Sequence, residues 1–289
     1  MNQLEICLAY QLDSDVGSIE LAQEWSNVLD CYLRIFTNQA PLDTESIQLK
    51  SKSLVSHNLN LSPDVDKYLK STTNLKHWSP WGTKSGPNFQ FFQILNYYRK
   101  NQSTNWLLFL EADTFCTSKT AKSHVNRLLK EFSQAWVIGA SPHALAQKHL
   151  FPNLWDHING ACLLHVGDPD FHDFLARVWI PSVIYRIRSI PYYAYDCVTA
   201  TREPLLLPEF LRDQWMNAAT RFIRTPTMLN VSNLSLSLQE TQSLVELNSL
   251  EFADQTAGST WFTHAKIREY LRAESQQDRL RIIERLLIQ

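Results

Sequence analysis

The stretch WLLFLEAD, residues 106–113, decides the fold. Its first five residues are apolar without interruption, which is typical of a central strand covered on both faces of a sheet. The predicted strand ends abruptly at Glu111 and Asp113. Ligands of parallel α/β sheets bind beyond the carboxyl ends of the strands. Because residues i and i+2 of an extended chain point the same way, both carboxylates are predicted to face one ligand crevice.

Predicted strands and helices alternate on both sides of this stretch. Apolar runs predict strands over residues 4–10, 106–110, 135–139 and 161–165, with weaker strand signals at 47–49 and 54–55. Helical spacing and start signals predict helices over 18–36, from 86–87 onward, after a cap at 117–118, from 168–169 onward and over 263–289. The alternation predicts an α/β domain with a largely parallel sheet.

Composition excludes several classes of protein. The chain has 289 residues, of which 44% are hydrophobic and 19% charged, and this is the profile of a folded domain. A net charge of −2 argues against a nucleic-acid binder with a broadly basic surface. The sequence has no window of 18 uninterrupted apolar residues, so no transmembrane helix is expected. The first residues do not resemble a secretory signal. Five cysteines at irregular spacing suggest reduced thiols, so a cytoplasmic protein is expected.

Glycine is scarce and concentrated. The chain has seven glycines, whereas ordinary usage predicts about twenty. Most of them fall between residues 82 and 167, namely Gly82, Gly86, Gly139, Gly160 and Gly167. Glycine permits unusual backbone angles and close approach of a ligand, so this region is the first place to look for a site.

A phosphate site is predicted upstream of the central strand. Lys84 offers a cation, Gly86 permits close backbone approach, and Asn88 lies near a helix N-terminus that favours anions. The alternative is an ordinary loop before a helix that begins at Pro87, with Lys84 simply solvated. For Glu111 and its neighbours, the alternative is an acidic strand-to-loop transition.

The order of these motifs resembles a known family. K-x-G-x-N at residues 84–88, a helix, an apolar strand and an acidic triplet are similar to the core of GT-A fold glycosyltransferases, especially the family 2-like group. The resemblance covers mainly residues 80–200, with a looser extension to residue 266. It implies a GT-A-type, Rossmann-like α/β sandwich whose central sheet is mostly parallel and flanked by helices.

The resemblance also implies a single domain over residues 1–289. Its nucleotide-sugar-binding part would span about 1–140 and its acceptor- or sugar-binding part about 141–265, followed by a C-terminal amphipathic helix over 266–289. Between the apolar residues of that helix, basic and acidic residues alternate, which favours docking on the body of the protein. Self-association and peripheral contact with an anionic membrane surface stay open.

A nucleotide-diphospho-sugar donor and a divalent metal follow from the resemblance. The implied donor-binding residues are Lys84, Gly86, Asn88, Glu111, Asn159 and Gly160. Asn159 would hydrogen-bond the donor sugar and Gly160 would let the sugar pack on the backbone, and the alternative for both is a plain Asn-Gly turn. The implied ligands of Mn²⁺ or Mg²⁺ are Glu111, Asp113 and His264, the last in a late His-x-Lys segment. The family more often has Asp at the position of Glu111, so the direct contact of Glu111 with metal stays open. His264 is alternatively a surface histidine.

The segment Tyr195-Asp196 resembles the one that supplies the catalytic base in inverting family members. Asp196 would remove the proton from an acceptor hydroxyl as it attacks the anomeric carbon. The chain has Tyr195 where the usual pair is Glu-Asp, and a structural ion pair of Asp196 with Arg202 is the alternative. If another carboxylate faces the sugar, retention of configuration stays open.

The sequence also bears on functions other than glycosyl transfer. The main alternative is a non-catalytic nucleotide-sugar or carbohydrate-binding protein of the same fold, because Glu111 and Tyr195 depart from the family pattern. A nucleotidyltransferase would need a glycine-rich, arginine-containing loop, which residues 10–15 lack. The dinucleotide-binding, Walker and serine-hydrolase glycine motifs are absent from the sequence.

The donor nucleotide, its sugar and the acceptor, whether a glycan, a protein or a small molecule, are not specified by the sequence. Asp13 and Asp15 follow the first strand, where this fold usually contacts the base. Trp78 and Trp81 precede Lys84 and are candidates for stacking on a base or sugar ring.

Overall fold

The structure is a computed structural model that describes residues 2–10, 17–38, 54–66, 82–148, 150–251 and 260–287. Within these ranges the strands are β1 (Asn2–Tyr10), β2 (Tyr32–Thr37), β3 (Leu54–Asn58), β4 (Thr104–Leu110), β5 (Thr114–Cys116), β6 (Val137–Gly139), β7 (Cys162–Leu164), β8 (Phe222–Arg224), β9 (Met228–Leu236) and β10 (Phe262–Ile267). The α-helices are α1 (Ser18–Leu29), α2 (Ser85–Asn101), α3 (Ala121–Glu131), α4 (Ala144–Gln147), α5 (Pro169–Phe174), α6 (Ile180–Ile187), α7 (Glu209–Ala218), α8 (Leu238–Glu251), α9 (Arg268–Arg272) and α10 (Gln276–Leu286). The predicted strand at 47–49, Asp13, Asp15, Trp78 and Trp81 lie outside the described residues.

The main sheet has seven strands in the order β3-β2-β1-β4-β7-β6-β8 within the described part of the chain. Neighbours pair in parallel except β7, which runs antiparallel to both β4 and β6. Because β7 is reversed, the loop before it lies at the same edge of the sheet as the carboxyl end of β4. The predicted α/β class with a mostly parallel central sheet is therefore confirmed.

Strand β4 is covered on both faces, as its apolar run predicts. Leu107 and Phe109 pack in a cluster with residues of α2 and of the α5–α6 region. Leu108 and Leu110 pack in a second cluster with residues of α1 and α3. The alternation of side chains along the strand thus divides one continuous apolar run between two helical layers.

A smaller sheet adjoins the carboxyl end of β4. It contains three strands in the order β5-β10-β9 among the described residues, with β10 antiparallel to β5 and parallel to β9. A third apolar cluster lies beneath this sheet and includes Ile283 and Leu286 of α10, which are 2% and 1% exposed. Arg279 of α10 also pairs with Glu20 of α1 at 2.7 Å. The predicted docking of the closing helix on the body is confirmed.

Two predicted helices are wrong in part. The helix expected over residues 18–36 ends at Leu29, because Asp30 adopts a left-handed conformation with φ of 55° and terminates the helix. The following residues form β2, which lies between β1 and β3. The helix expected over 263–289 begins only at Arg268, since the preceding residues form β10 between β5 and β9.

One shorter element differs from the prediction. The helix expected after a cap at 117–118 begins at Ala121, with Thr120 in the capping position, and the strand β5 precedes it. No helix in the described ranges combines the length and the apolar character that crossing a bilayer requires.

Candidate active site

The acidic turn lies at the carboxyl end of β4. Glu111 and Asp113 occupy a tight turn rather than the extended segment expected from the sequence. The Glu111 carbonyl accepts from the Thr114 amide at 3.2 Å, and the Thr114 hydroxyl accepts from the Glu111 amide at 3.2 Å. These two bonds fix the turn, and the two carboxylates converge in spite of the different backbone path.

Strand β10 adds a histidine to this turn. His264 lies opposite Thr114 in the pairing of β10 with β5, and the Ala265 amide donates to the Asp113 carbonyl at 3.1 Å. The buried His264 ring places Nε2 2.6 Å from Asp113 Oδ1 and 3.3 Å from Glu111 Oε2. One ligand atom from each of the three side chains lies within 4.8 Å of the other two. The predicted metal set is therefore brought together.

The three groups shift each other's protonation. Desolvation in the cleft raises the pKa of Glu111, against the opposing effect of His264. Desolvation also acts on Asp113, but the charge and the hydrogen bond of His264 outweigh it and lower the pKa of Asp113. For His264, desolvation is outweighed by the Asp113 and Glu111 carboxylates, and the pKa of the imidazole is raised. The shifts therefore follow from the close packing of two carboxylates and one imidazole in the cleft.

The donor set fits a divalent cation. Two carboxylate oxygens and one imidazole nitrogen converge from a rigid turn and a paired strand, and this combination suits Mn²⁺. Hard cations such as Mg²⁺ prefer an all-oxygen set. The two carboxylates suit either predicted metal, and His264 adds a nitrogen ligand to them.

These residues line a cleft of about 750 Å³. That volume is in the range of pockets that bind small molecules and cofactors. Lys84, Asn159 and Asp196 also line the cleft, together with Lys266 from the end of β10. Cationic, amide and carboxylate groups thus surround the candidate metal centre.

Asp196 has partners that the sequence did not indicate. Its Oδ2 accepts from the Gly160 amide at 3.2 Å and lies 3.8 Å from Nε2 of His157. Within the described part of the chain, Asp196 therefore pairs with His157 and not with Arg202. The side chain of Asp196 is 13% exposed, which leaves its carboxylate accessible from the cleft.

The predicted phosphate residues separate into two groups. Lys84 lines the cleft immediately before α2. Gly86 and Asn88 are buried in the first turn of α2 and do not line it. The amide of Asn88 donates to the Tyr193 carbonyl at 3.0 Å and accepts from the Tyr195 amide at 2.8 Å. Backbone groups therefore occupy both ends of the Asn88 side chain, and its contact with a donor stays a prediction.

Asn159 and Gly160 lie in the loop before β7, which borders the cleft through Asn159. Asn159 lines the cleft, and its side-chain oxygen accepts from the Ala161 amide at 2.9 Å. A Cβ on Gly160 would lie 1.9 Å from the Tyr195 hydroxyl oxygen and 2.5 Å from Glu111 Oε1. Gly160 is thus required for close approach of protein side chains, whereas the sequence suggested a sugar packed on its backbone.

Tyr195 is the residue that sequence reasoning missed. Its hydroxyl donates to Glu111 Oε1 at 2.9 Å. Burial raises the pKa of Tyr195 well above its ordinary value, so the hydroxyl remains a donor at neutral pH. The signal in the sequence was Tyr195 itself, which stands where the family pattern has an acidic residue.

The fold is similar to solved structures of glycosyltransferases. A glycosyltransferase involved in the glycosylation of the major capsid of PBCV-1 aligns with a TM-score of 0.43 and 12% identity, over 98% of this chain and 98% of that chain. The apo form of GlyE from Streptococcus pneumoniae TIGR4 aligns with a TM-score of 0.42 and 11% identity, over 100% of this chain and 61% of that chain. The apo bifunctional glycosyltransferase WbbM aligns with a TM-score of 0.47 and 10% identity, over 98% of this chain and 50% of that chain.

No family and no curated protein matches the sequence. At these identities the similarity to the solved structures concerns the fold alone. The chain's own topology has the features that the sequence resemblance implies, namely a mostly parallel sheet and an acidic turn at the carboxyl end of β4. The fold is GT-A-like.

Proposed function

We propose that the protein is a metal-dependent glycosyltransferase that moves a sugar from a nucleotide-diphosphate donor to an acceptor hydroxyl. The convergence of Glu111, Asp113 and His264 within 4.8 Å is the observation on which this proposal rests. The proposal is supported by the position of this triad in a cleft of about 750 Å³ that also contains Lys84 and Asp196.

Glycosyl transfer requires that negative charge on the departing nucleoside diphosphate is stabilised. A divalent cation supplies positive charge for this purpose when it is bound. Glu111, Asp113 and His264 would hold that cation. Lys84 and Lys266 line the same cleft, and their ammonium groups would bind the phosphate oxygens from the side of the protein.

The acceptor hydroxyl must also lose a proton as it attacks. Asp196 is the candidate base, because its carboxylate lines the cleft and is oriented by the Gly160 amide. In a single displacement the acceptor attacks from the face opposite the departing diphosphate, and Asp196 would take its proton in the same step. We therefore propose inversion at the anomeric carbon.

Paired variants test the proposal. The unaltered protein is screened for binding of nucleoside diphosphates and nucleotide sugars with and without Mn²⁺, and the donors that bind are followed for hydrolysis and transfer. Asp113→Ala should lose metal-dependent donor binding. Asp196→Asn should bind the donor as the unaltered protein does and lose turnover by about 10²- to 10⁴-fold, the usual contribution of a general base.

The outcomes separate the competing functions. Binding of a nucleotide sugar without turnover by the unaltered protein would identify a non-catalytic binding protein. Normal metal-dependent binding by Asp113→Ala would overturn the metal centre. The anomeric configuration of the product, read by proton NMR, tests inversion, and a retained configuration would overturn the role of Asp196 as the base.

A further inference from the structure

The hydroxyl of Tyr195, beside the acidic turn, donates its hydrogen bond to one particular oxygen of Glu111. Tyr195 donates to Oε1 of Glu111, while Oε2 of the same carboxylate lies 3.3 Å from His264 Nε2. The two oxygens of Glu111 therefore have different neighbours. We propose that Tyr195 is a positioning residue that fixes the Glu111 carboxylate so that only Oε2 faces the metal centre. The proposal rests on the proposed function, because it concerns the same centre.

Tyr195 is itself held from three sides. Asn88 accepts from the Tyr195 amide at 2.8 Å, and the Trp179 indole donates to the Tyr195 carbonyl at 2.8 Å. The ring of Phe91 stacks on the Tyr195 ring with centroids 3.9 Å apart and planes 12° apart. Because both the backbone and the ring are fixed, the hydroxyl has a defined position to which the flexible Glu111 side chain conforms.

The arrangement depends on the length of the Glu111 side chain. The structure joins Glu111 and Tyr195 by a hydrogen bond. An aspartate at position 111 would be shorter by one carbon–carbon bond, about 1.5 Å. Its carboxylate would not reach the tyrosine hydroxyl without displacing the turn.

Gly160 completes the contact. A side chain at this position would overlap the space in which the Tyr195 hydroxyl meets Glu111 Oε1. The glycine amide also donates to Asp196, the residue after Tyr195. Gly160 thus leaves room for the hydrogen bond between Tyr195 and Glu111. Because Asp196 follows Tyr195 directly in the chain, the candidate base is connected to this hydrogen bond.

Loss of the tyrosine hydroxyl should weaken metal binding without disrupting the fold. Partners that orient a metal ligand typically change metal affinity by about 10- to 100-fold when they are removed. The experiment measures the Mn²⁺ dissociation constant by calorimetry, and by the electron paramagnetic resonance signal of free Mn²⁺. It compares the unaltered protein with Tyr195→Phe, Glu111→Asp and the double variant. Tyr195→Phe should bind Mn²⁺ about 10-fold more weakly.

The double variant tests whether the two residues act together. Glu111→Asp already breaks the hydrogen bond, so addition of Tyr195→Phe should cause little further loss of Mn²⁺ affinity. Multiplicative losses in the double variant would overturn the proposal, because independent residues give additive free energies. Tyr98→Phe is the matched control, since the buried Tyr98 hydroxyl donates to the Glu5 carboxylate at 2.6 Å outside the cleft.

The control distinguishes positioning from general stability. Tyr98→Phe should leave the Mn²⁺ dissociation constant unchanged, even if its unfolding midpoint falls as much as that of Tyr195→Phe. If the unaltered protein binds Mn²⁺ and Tyr195→Phe binds it equally well, the positioning role is wrong and the proposed function stands. If the unaltered protein does not bind Mn²⁺, the metal centre and the positioning role are both wrong.

Discussion

Glu203 illustrates how one buried carboxylate stabilises a loop behind the cleft. It is 0% exposed and lies 2.9 Å from the Arg186 guanidinium. It also accepts hydrogen bonds from the Tyr193 hydroxyl at 2.6 Å and from the Asn153 amide. The Tyr193 carbonyl is bound by Asn88 from the other side. Glu203 therefore helps to fix the segment that leads into Tyr195 and Asp196.

Replacement of this carboxylate should be costly. Glu203→Gln leaves the buried Arg186 charge without its counterion, and breaking a buried pair in this way typically costs about 3–5 kcal/mol. The free energy of unfolding from urea denaturation measures the loss. The control is Asp213→Asn, because Asp213 pairs with Arg212 at 3.4 Å on the surface. Exposed pairs contribute up to about 1 kcal/mol. Equal losses in the two variants would contradict the structural role of Glu203.

At the scale of elements, two histidines with lowered pKa values lie close together in the chain, His165 directly after β7 and His172 in α5. The His165 ring stacks on Trp106 with centroids 4.3 Å apart, and desolvation lowers the pKa of His165. His172 hydrogen-bonds the Val166 carbonyl through Nε2 at 2.7 Å, and desolvation likewise lowers its pKa. Its Nδ1 is buried without a hydrogen-bond partner among the described residues. Protonation of His172 would therefore bury an unsatisfied N–H.

These two histidines should make the fold sensitive to acid. Above the ordinary pKa of 6.5 both histidines are neutral in the folded and unfolded states. Below it the unfolded chain binds protons that the folded chain does not, so the free energy of unfolding falls as the pH falls. Urea denaturation at about pH 7.5 and about pH 5.5 measures how far the free energy of unfolding falls on acidification. The fall should be smaller for the double variant His165→Asn/His172→Gln than for the unaltered protein.

The comparison between variants decides this prediction. His264 has a raised pKa, so it acts in the opposite sense and stabilises the fold at low pH relative to high pH. Its contribution is the same in the unaltered protein and in the double variant, and it cancels in the difference. An identical loss of stability on acidification in both proteins would show that the two histidines do not titrate as expected.

The elements that could be predicted from the sequence are those defined by local patterns. The run at 106–110 predicts a strand without reference to any partner, and the two acidic residues that follow mark the end of that strand. Strands β2 and β10 were misread as helix, because the residues of β2 also fit helical spacing and those of β10 lead directly into α9. Their true state is decided by pairing with β1 and β5, which are distant in sequence.

The site was predictable as a set of residue types and unpredictable as a set of contacts. Glu111, Asp113 and His264 were expected together on the basis of family resemblance, and the structure brings them together. The partner of Glu111, Tyr195, lies 84 residues further along the chain and was read only as a departure from the pattern. The Asn88 side chain points into the protein because α2 packs against residues 193–195. Periodicity in the sequence does not reveal this packing.

At the scale of the whole molecule, the candidate metal centre joins the two sheets. The turn after β4 supplies Glu111 and Asp113, whereas the smaller sheet supplies His264 through β10. Unfolding would separate these ligands. A cation that binds only the native state should therefore stabilise the entire fold and not merely the cleft.

Mn²⁺ should raise the free energy of unfolding in a concentration-dependent way. At a free concentration 100 times the dissociation constant, the expected gain is about 2.7 kcal/mol. Urea denaturation over a series of Mn²⁺ concentrations measures this gain. Asp113→Asn keeps the shape of the side chain and removes its charge, so its unfolding should be insensitive to Mn²⁺. A gain that persists in Asp113→Asn would assign the stabilising cation to a different location.

The separation of the ligands along the chain has a consequence for biosynthesis. Asp113 and His264 are 151 residues apart. At typical rates of translation, a ribosome needs roughly 8 to 30 s to add that many residues. During this interval Glu111 and Asp113 have been synthesised and His264 has not, so the ligand set is incomplete. The complete set therefore forms only late in synthesis, after β10 has emerged from the exit tunnel and paired with β5.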